Sequence, residues 1–254
     1  MMIIPSTPVQ SFARKTGFNA DTVALRSYVV EKRRYFMFKR VFDIVLSSLV
    51  IIFIISWLFP IIALLIKLDS NGPVFFIQRR VGRWGKSFKC LKFRTMVVNE
   101  HANTRQASDN DNRITRVGNF LRKSNLDEFP QFFNVLLGQM SVVGPRPHMH
   151  ADCNKFSSVI ANYKFRNMVK PGITGLAQVK GYRGPTKNFE SIFHRYQFDA
   201  FYIRNANFWL DMRIVRKTAA QTINTLFSRI FKSGEDTAVQ TSAKQWTPSV
   251  KNLN

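Results

Sequence analysis

The sequence predicts a chain anchored by an apolar helix that enters a bilayer and leaves by the same face, with a small β-hairpin and further helices after it. Three observations carry this. From Ile44 to Ile66 no residue is charged, and most are Ile, Leu, Val or Phe. Lys and Arg crowd both ends of that run. Short strand-like stretches around a Gly-rich turn follow, and a stretch of helical period closes the ordered part.

The 23 residues of the apolar run extend roughly 35 Å as a helix, about the thickness of a hydrocarbon core. A buried helix of a soluble protein is seldom so long and apolar on every face. Lys32, Arg33, Arg34, Lys39 and Arg40 precede it, and Lys67, Arg79, Arg80, Arg83, Lys86, Lys89, Lys92 and Arg94 follow. Lys and Arg resist translocation, so both ends belong on the cytoplasmic side, which a single straight span cannot satisfy. Pro60 removes a backbone donor within the run, and Ser56 can cap the freed groups, so a helix that breaks and returns fits the pattern. A Pro-kinked ordinary span is the alternative.

The organisation expected is a loosely ordered segment over residues 1–38, a re-entrant membrane helix over 39–70, a catalytic domain on the cytoplasmic face over 71–232, and a polar, disordered tail over 233–254. The apolar run lies too deep in the chain for a signal peptide. Val74–Gln78 and Ser87–Phe93 read as strands, joined by a turn at Gly82 and Gly85 whose glycine spacing does not make a phosphate loop. Residues 99–113 read as a polar loop, and a helix is expected from Asp127 to Leu137, stopped by Gly138. A second helix is expected over Cys153–Met168, an extended segment through Gln178, Lys180, Tyr182 and Arg183, and a basic amphipathic helix over Asp211–Phe231. That last helix suits an anionic membrane face or ordinary packing equally.

A formal charge of +23 and an isoelectric point near 10.7 call for an anionic partner. Nucleic acid, anionic lipid and phosphorylated substrates all qualify. No nucleic-acid-binding motif is present, and that reading leaves the uncharged run and the 24 Phe residues unexplained. Cys90 and Cys153 match no metal or redox spacing and read as reduced, buried thiols. His148 and His150 could share one side of a strand, but no third zinc ligand accompanies them.

Acidic residues are scarce, and the adjacent pair Asp127-Glu128 is surrounded in sequence by Arg113, Arg116, Arg122 and Lys123. One carboxylate of such a pair can attack phosphorus while its neighbour holds a divalent metal, and a guanidinium such as that of Arg146, in the stiff turn Gly144-Pro145-Arg146-Pro147, can stabilise the developing charge. Asp127 could equally cap a helix whose dipole Glu128 favours. The residues alone leave both readings open.

At these residues the chain resembles the monotopic phosphoglycosyl transferases, also called bacterial sugar transferases or polyprenyl glycosylphosphotransferases. The resemblance runs in order from Lys39 to Thr222, through Lys39-Arg40-Val41-Phe42-Asp43, Lys92-Phe93-Arg94-Thr95-Met96, Leu126-Asp127-Glu128, Gly144-Pro145-Arg146-Pro147 and Lys170-Pro171-Gly172-Ile173-Thr174-Gly175. It implies a mixed α/β, mainly helical fold with a re-entrant membrane helix, interfacial amphipathic helices and a small β-hairpin. It also implies that Asp127 attacks the β-phosphate of a UDP-sugar, releasing UMP, and that undecaprenyl phosphate then takes the phosphosugar, initiating exopolysaccharide, capsule or O-antigen synthesis at the bacterial inner membrane. Glu128 would bind Mg²⁺, and Lys92, Arg94, Arg146 and Asp211 would contact substrate phosphates. Pro147-His148-Met149 and Gly181-Tyr182-Arg183-Gly184 resemble the glucose-transferring members, with galactose the next choice.

Two departures stand out. The family's helix-breaking Ser-Pro pair is replaced here by Ser56-Trp57, with proline arriving only at Pro60. Many glucose-transferring relatives carry extra membrane helices ahead of this region, whereas the segment before Lys39 has no apolar run long enough to span.

Overall fold

A computed structural model describes residues 29, 31–99, 111–184 and 188–231. The expected tail, the first 28 residues and most of the expected polar loop lie outside them. The described residues are mainly helical, with two small two-stranded sheets. Helices α1 (Arg33–Val50) and α2 (Ser56–Asp69) are joined by a π-type turn, Ile51–Ile55, and together form one continuous helical stretch from Arg33 to Asp69 that is long and apolar enough to cross a membrane.

The wide turn falls just before Ser56 rather than at Pro60. A π-turn loosens the carbonyl ladder, and side chains fill in for the backbone here. The Ser56 hydroxyl donates to Ile52 O (2.5 Å), and the Trp57 indole donates to Phe53 O (2.7 Å). Pro60 sits inside α2. Around the turn Leu49, Ile52, Phe53, Trp57 and Ile61 are all exposed, an apolar surface of the kind that marks a membrane or partner contact.

Both arms are fastened to the same body. On α1, Lys39 donates to Asp211 Oδ2 (2.6 Å), and Arg40 donates to the Val135 and Leu136 carbonyls. Asp43 accepts from the Val142 amide (2.9 Å) and the Ser141 hydroxyl (3.0 Å). At the far end, Asp69 accepts from the Val117 amide (2.9 Å), while Arg94 donates to the Ser70 and Asn71 carbonyls. Ile62 and Ile66 of α2 pack with Phe93, Leu121 and Leu126.

The β-hairpin follows, with β1 (Phe75–Val81) antiparallel to β2 (Ser87–Phe93) in a register that sets Phe76 against Lys92. β1 runs three residues further than its sequence signals, because Arg79, Arg80 and Val81 complete the ladder opposite Ser87–Lys89. Helix α3 (Arg116–Ser124) had no sequence counterpart. Its start is fixed by the Thr115 hydroxyl, which accepts from the Gly118 amide.

The helix expected from Asp127 to Leu137 is two pieces, a 3₁₀ turn, Leu126–Glu128, and α4 (Gln131–Leu136). Pro130, with no N–H to donate, stands between them, and Gly138 at φ 76° ends the second piece as expected. Next come β3 (Ser141–Val143) and α5 (His150–Val159). The helix expected over Cys153–Met168 breaks where Asn162 adopts φ 59°, and resumes as a 3₁₀ turn, Tyr163–Met168. β4 (Gly172–Thr174) pairs in parallel with β3. A Cβ on Gly172 would stand 2.1 Å from the Gly144 amide nitrogen, so only glycine permits this approach of the two backbones.

The expected extended segment at Gln178 is instead helical: α6 (Leu176–Val179) is closed by the Val179 amide donating to Gly175 O and the Lys180 amide donating to Leu176 O, and it buries Ala177, Gln178 and Val179. Helix α7 (Phe189–Asn205), capped by Asn188, also had no counterpart in the sequence reading. Helix α8 (Phe208–Phe231) begins three residues earlier than expected. The main core gathers Val135, Met140, Val143, Tyr202, Ile203 and Ile214 beneath these elements.

Asp43→Ala strips acceptors from a buried amide and a buried hydroxyl. It should cost about 2–4 kcal/mol, read as a fall in Tm on the order of 5–10 °C in detergent or nanodiscs. An unchanged Tm would mean that α1 is not held to β3 in this way.

Candidate active site

The 3₁₀ turn presents Asp127 and Glu128 together because Asn125, just before it, adopts φ 59° and redirects the chain from α3. Asparagine tolerates that left-handed conformation better than most residues. Both carboxylates face a cavity of about 860 Å³ that is also lined by Lys92, Arg94 and Arg146.

Their environments differ. Glu128 Oε1 accepts from Lys92 Nζ (2.6 Å) and Arg146 Nη2 (2.7 Å), and Oε2 accepts from Arg146 Nη1 at 3.2 Å. Burial works to raise the Glu128 carboxyl, but the guanidinium of Arg146 and the ammonium of Lys92 outweigh it and hold the group well below the usual carboxylate range. Asp127 has its nearest cation, Lys92, at 3.9 Å, and among the described residues no hydrogen bond engages its carboxylate. Burial therefore prevails and pushes Asp127 up, with Lys92 opposing and the charge of Glu128 adding to the rise. Two adjacent carboxylates are thus set apart, one neutralised by cations and one left basic.

Arg146 is itself held from behind. Arg166, buried and paired with Asp199 (2.7 Å), donates to the Arg146 carbonyl at 2.7 Å. The parallel pairing of β3 and β4 delivers this turn, since the Gly144 amide donates to Thr174 O and the Gly172 amide to Pro145 O.

Of the six residues expected at the site, five line the cavity: Asp127, Glu128, Lys92, Arg94 and Arg146. Arg94 also ties the end of α2 to β2 through its carbonyl contacts. Asp211 lies elsewhere. It is buried beneath α1, accepting from Lys39, Tyr35 (2.6 Å) and Tyr202 (2.8 Å), so its carboxylate anchors the apolar helix.

The cavity also takes in residues that the sequence reading did not assign to it: Arg80, Arg122, His148, Gln178, Arg183 and Arg195. Arg183 bridges the Gln178 carbonyl (3.1 Å) and Gln221 Oε1 (2.9 Å). Arg80 and Arg122 lay in basic runs whose every member looked alike. Arg195 carries no local signal, since it reaches the cavity only through the packing of α7. Cys90 and Cys153 are free and buried, as expected.

The sequence pattern of the family described as "Bacterial sugar transferase" matches residues 34–225. A UDP-glucose:undecaprenyl-phosphate glucose-1-phosphate transferase of Klebsiella pneumoniae is 51% identical over 180 residues, covering 70% of this chain and 38% of that protein. An exopolysaccharide production protein of Rhizobium leguminosarum bv. phaseoli is 43% identical over 190 residues, covering 73% of this chain and 94% of that one. A UDP-galactose-lipid carrier transferase of Erwinia amylovora is 38% identical over 218 residues, covering 79% of this chain and 44% of that protein. The chain thus spans about two fifths of the length of the first and last of these relatives. With 192 contiguous positions matched, including the Asp127-Glu128 turn, both flanking cations and the whole apolar helix bar its first residue, the chain belongs to the bacterial sugar transferase family.

Proposed function

We propose that this chain transfers a hexose 1-phosphate, glucose 1-phosphate first among the candidates, from a UDP-sugar to undecaprenyl phosphate. The observation that carries the reading is the asymmetry of the acidic pair, a basic Asp127 beside a Glu128 neutralised by Lys92 and Arg146, facing one cavity. The substrate classes come from the names of the relatives, whose glucose and galactose forms leave the hexose to experiment.

In the first step an Asp127 carboxylate oxygen forms a bond to the β-phosphorus of the donor. The bond from that phosphorus to the bridging oxygen breaks, and UMP departs with the electron pair. The aspartyl phosphosugar is then attacked at phosphorus by a phosphate oxygen of the acceptor lipid, giving the diphosphate-linked lipid and restoring the Asp127 carboxylate. A carboxylate raised by burial is the better nucleophile of the pair, because it is the less stabilised as an anion. Lys92 and Arg146, which line the same cavity, would stabilise the charge that develops on the transferred phosphoryl oxygens.

Mg²⁺ fits the residues present. Glu128 Oε2 makes one long contact and Asp127 none, so both keep lone pairs as hard oxygen donors. Among the described residues no group of three acidic or imidazole side chains converges, so substrate phosphates would complete the shell, as is usual for this ion. When bound, the ion neutralises charge on the diphosphate.

The same reading places the helix from α1 to α2 in the inner membrane as a re-entrant element, entered and left on the cytoplasmic side. It is supported by the exposed apolar surface around the π-turn and by the fastening of both arms to one body.

With protein in nanodiscs, Mg²⁺, undecaprenyl phosphate and single UDP-sugars, UMP should appear with UDP-glucose, and Asp127→Asn should lower the rate by about 10⁴-fold or more. With acceptor omitted, intact mass spectrometry should show one hexose phosphate on the wild type and none on Asp127→Asn. If folded protein releases no UMP from any UDP-sugar, the donor assignment falls. Chelation of divalent cations should stop UMP release, and added Mg²⁺ should restore it. Full activity in excess chelator would remove the metal from the reaction.

A further inference from the structure

The cavity of the acidic pair has two ends of different character. Along β1 the side chains that line it are Phe76, Gln78 and Arg80, alternate residues on one face of the strand. They pass from apolar to cationic over about 14 Å. Arg195 belongs to the Arg80 end: burial lowers His148, and the charges of Arg166, Arg195 and Arg80 add to the fall. At the other end of the strand, Phe76 stands opposite Lys92, whose Nζ is 3.9 Å from Asp127. The nucleophile therefore lies at the apolar rung of the hairpin.

Past that rung, away from Arg80, the chain on either side of the hairpin forms an apolar lip. Met96, Val97 and Val98 follow β2 and line the cavity together with Ile114. A bridge between Met96 and Ile114, and the Val97 amide donating to Arg113 O (2.9 Å), fix their places. The lip adjoins the end of the apolar helix: α2 stops at Asp69, and a Cβ on Gly72 would stand 2.6 Å from a methyl carbon of Val98. Val97 is 44% and Val98 66% exposed, and among the described residues none of Phe76, Met96, Val97, Val98 and Ile114 belongs to a core cluster. A cation stands between the lip and the nucleophile. Arg122 Nη1 donates to the Thr95 hydroxyl (3.4 Å), next to Met96, and its charge joins those of Lys92 and Arg146 in opposing the rise that burial imposes on Asp127.

We infer that the lip of Phe76, Met96, Val97, Val98 and Ile114 seats the first isoprene units of the lipid acceptor, whose phosphate reaches Asp127 past Arg122 while its chain runs back to the membrane beside α2. Such an acceptor is an anion on an apolar chain, and this end of the cavity joins an apolar wall, a cation and the end of the membrane helix. At the other end an apolar chain would strip water from Arg80 and Arg195, at a cost no contact there repays. The two substrates then share the centre for their phosphates and differ in the end that takes the rest, the nucleotide being left the Arg80 end. The inference rests on the proposed acceptor and membrane placement but not on the chemistry at Asp127, so it is testable without turnover. A phosphate lipid with acyl chains has the same general chemistry, and the test separates the two.

The test is photolabelling of the full chain in phosphatidylcholine nanodiscs, without UDP-sugar, by a polyprenyl phosphate that carries a diazirine in its first isoprene unit. Adducts located by peptide mass spectrometry should fall on Phe76, Met96 to Val98 or Ile114. Undecaprenyl phosphate should suppress them at least about tenfold better than phosphatidate, a margin that loss of one apolar side-chain contact would erase. Val97→Asp combined with Val98→Asp alters two exposed side chains, so Tm should hold, and labelling should fall about tenfold. In turnover the same variant should raise the KM for undecaprenyl phosphate about tenfold and that for UDP-glucose less than about twofold. Adducts confined to the Arg80 end or spread along α1 and α2 would overturn the inference. So would unchanged labelling of the folded variant, an equal rise in both KM values, or equal suppression by phosphatidate, which would make the lip an ordinary lipid contact. Adducts on the lip of a protein that releases no UMP from any UDP-sugar would support the seat while the transferase reading falls. UMP release with adducts elsewhere would sink the seat and leave that reading standing.

Discussion

The site depends on the neutralisation of Glu128. A carboxylate this buried would protonate without partners, and two buried carboxylates on adjacent residues would not both ionise. Lys92 from β2 and Arg146 from the β3–α5 turn meet on Glu128 Oε1, and Arg146 adds a second contact at Oε2. By engaging both cations, Glu128 leaves Asp127 with no hydrogen-bonded cation and Lys92 as its nearest at 3.9 Å. The pair is therefore a division of labour enforced by placement, since the two residues share a backbone turn, a cavity and nearly the same exposure.

Placement of those two cations explains much of the surrounding architecture. Lys92 has its position because the hairpin register sets it opposite Phe76, with Phe75 and Phe93 stacked on one another and on Phe59 of α2. Arg146 has its position because two glycines let β3 and β4 approach closely and because the buried Arg166–Asp199 pair grips its carbonyl. The same aromatic stack that steadies Lys92 thus includes a side chain of the apolar helix. The buried carboxylates Asp43 and Asp211 tie the other arm to β3 and α8. Displacement of the helix would be felt at the acidic pair through β2, which is a physical reason for the apolar element and the chemistry to occur in one compact unit.

How much of this was legible in the sequence follows from where each signal resides. The apolar run, its basic flanks, the hairpin and the acidic pair are local features, and the structure has them close to where they were read. Elements that depend on partners distant in sequence were not legible. Helices α3 and α7 are short or mixed in character and are defined by caps at Thr115 and Asn188 that look like ordinary polar residues. Helix α6 was expected to be extended; it is only four residues long, so packing rather than a helical period decides its form. Asp211 was assigned to substrate phosphates through the family resemblance. In the fold it meets Lys39, 172 positions away, and two tyrosines. An acidic residue in sequence carries its charge but not its partner, and the partner decides whether it works on substrate or on the fold.

The same distinction applies to the excess of positive charge. A formal charge of +23 reads at first as a broad affinity for anions, yet the cationic side chains fall into groups with different tasks. Lys39, Arg94 and Arg166 are spent on carboxylates and carbonyls that fasten the helix or back the site. Lys92 and Arg146 are shared between Glu128 and the cavity. Eight cationic side chains line that cavity against three acidic ones, so its field favours anions even after Glu128 is paired. A donor with a diphosphate and an acceptor with a phosphate would each be drawn to it. Net charge alone does not discriminate among anions, so discrimination falls to directional hydrogen bonds at the cavity wall.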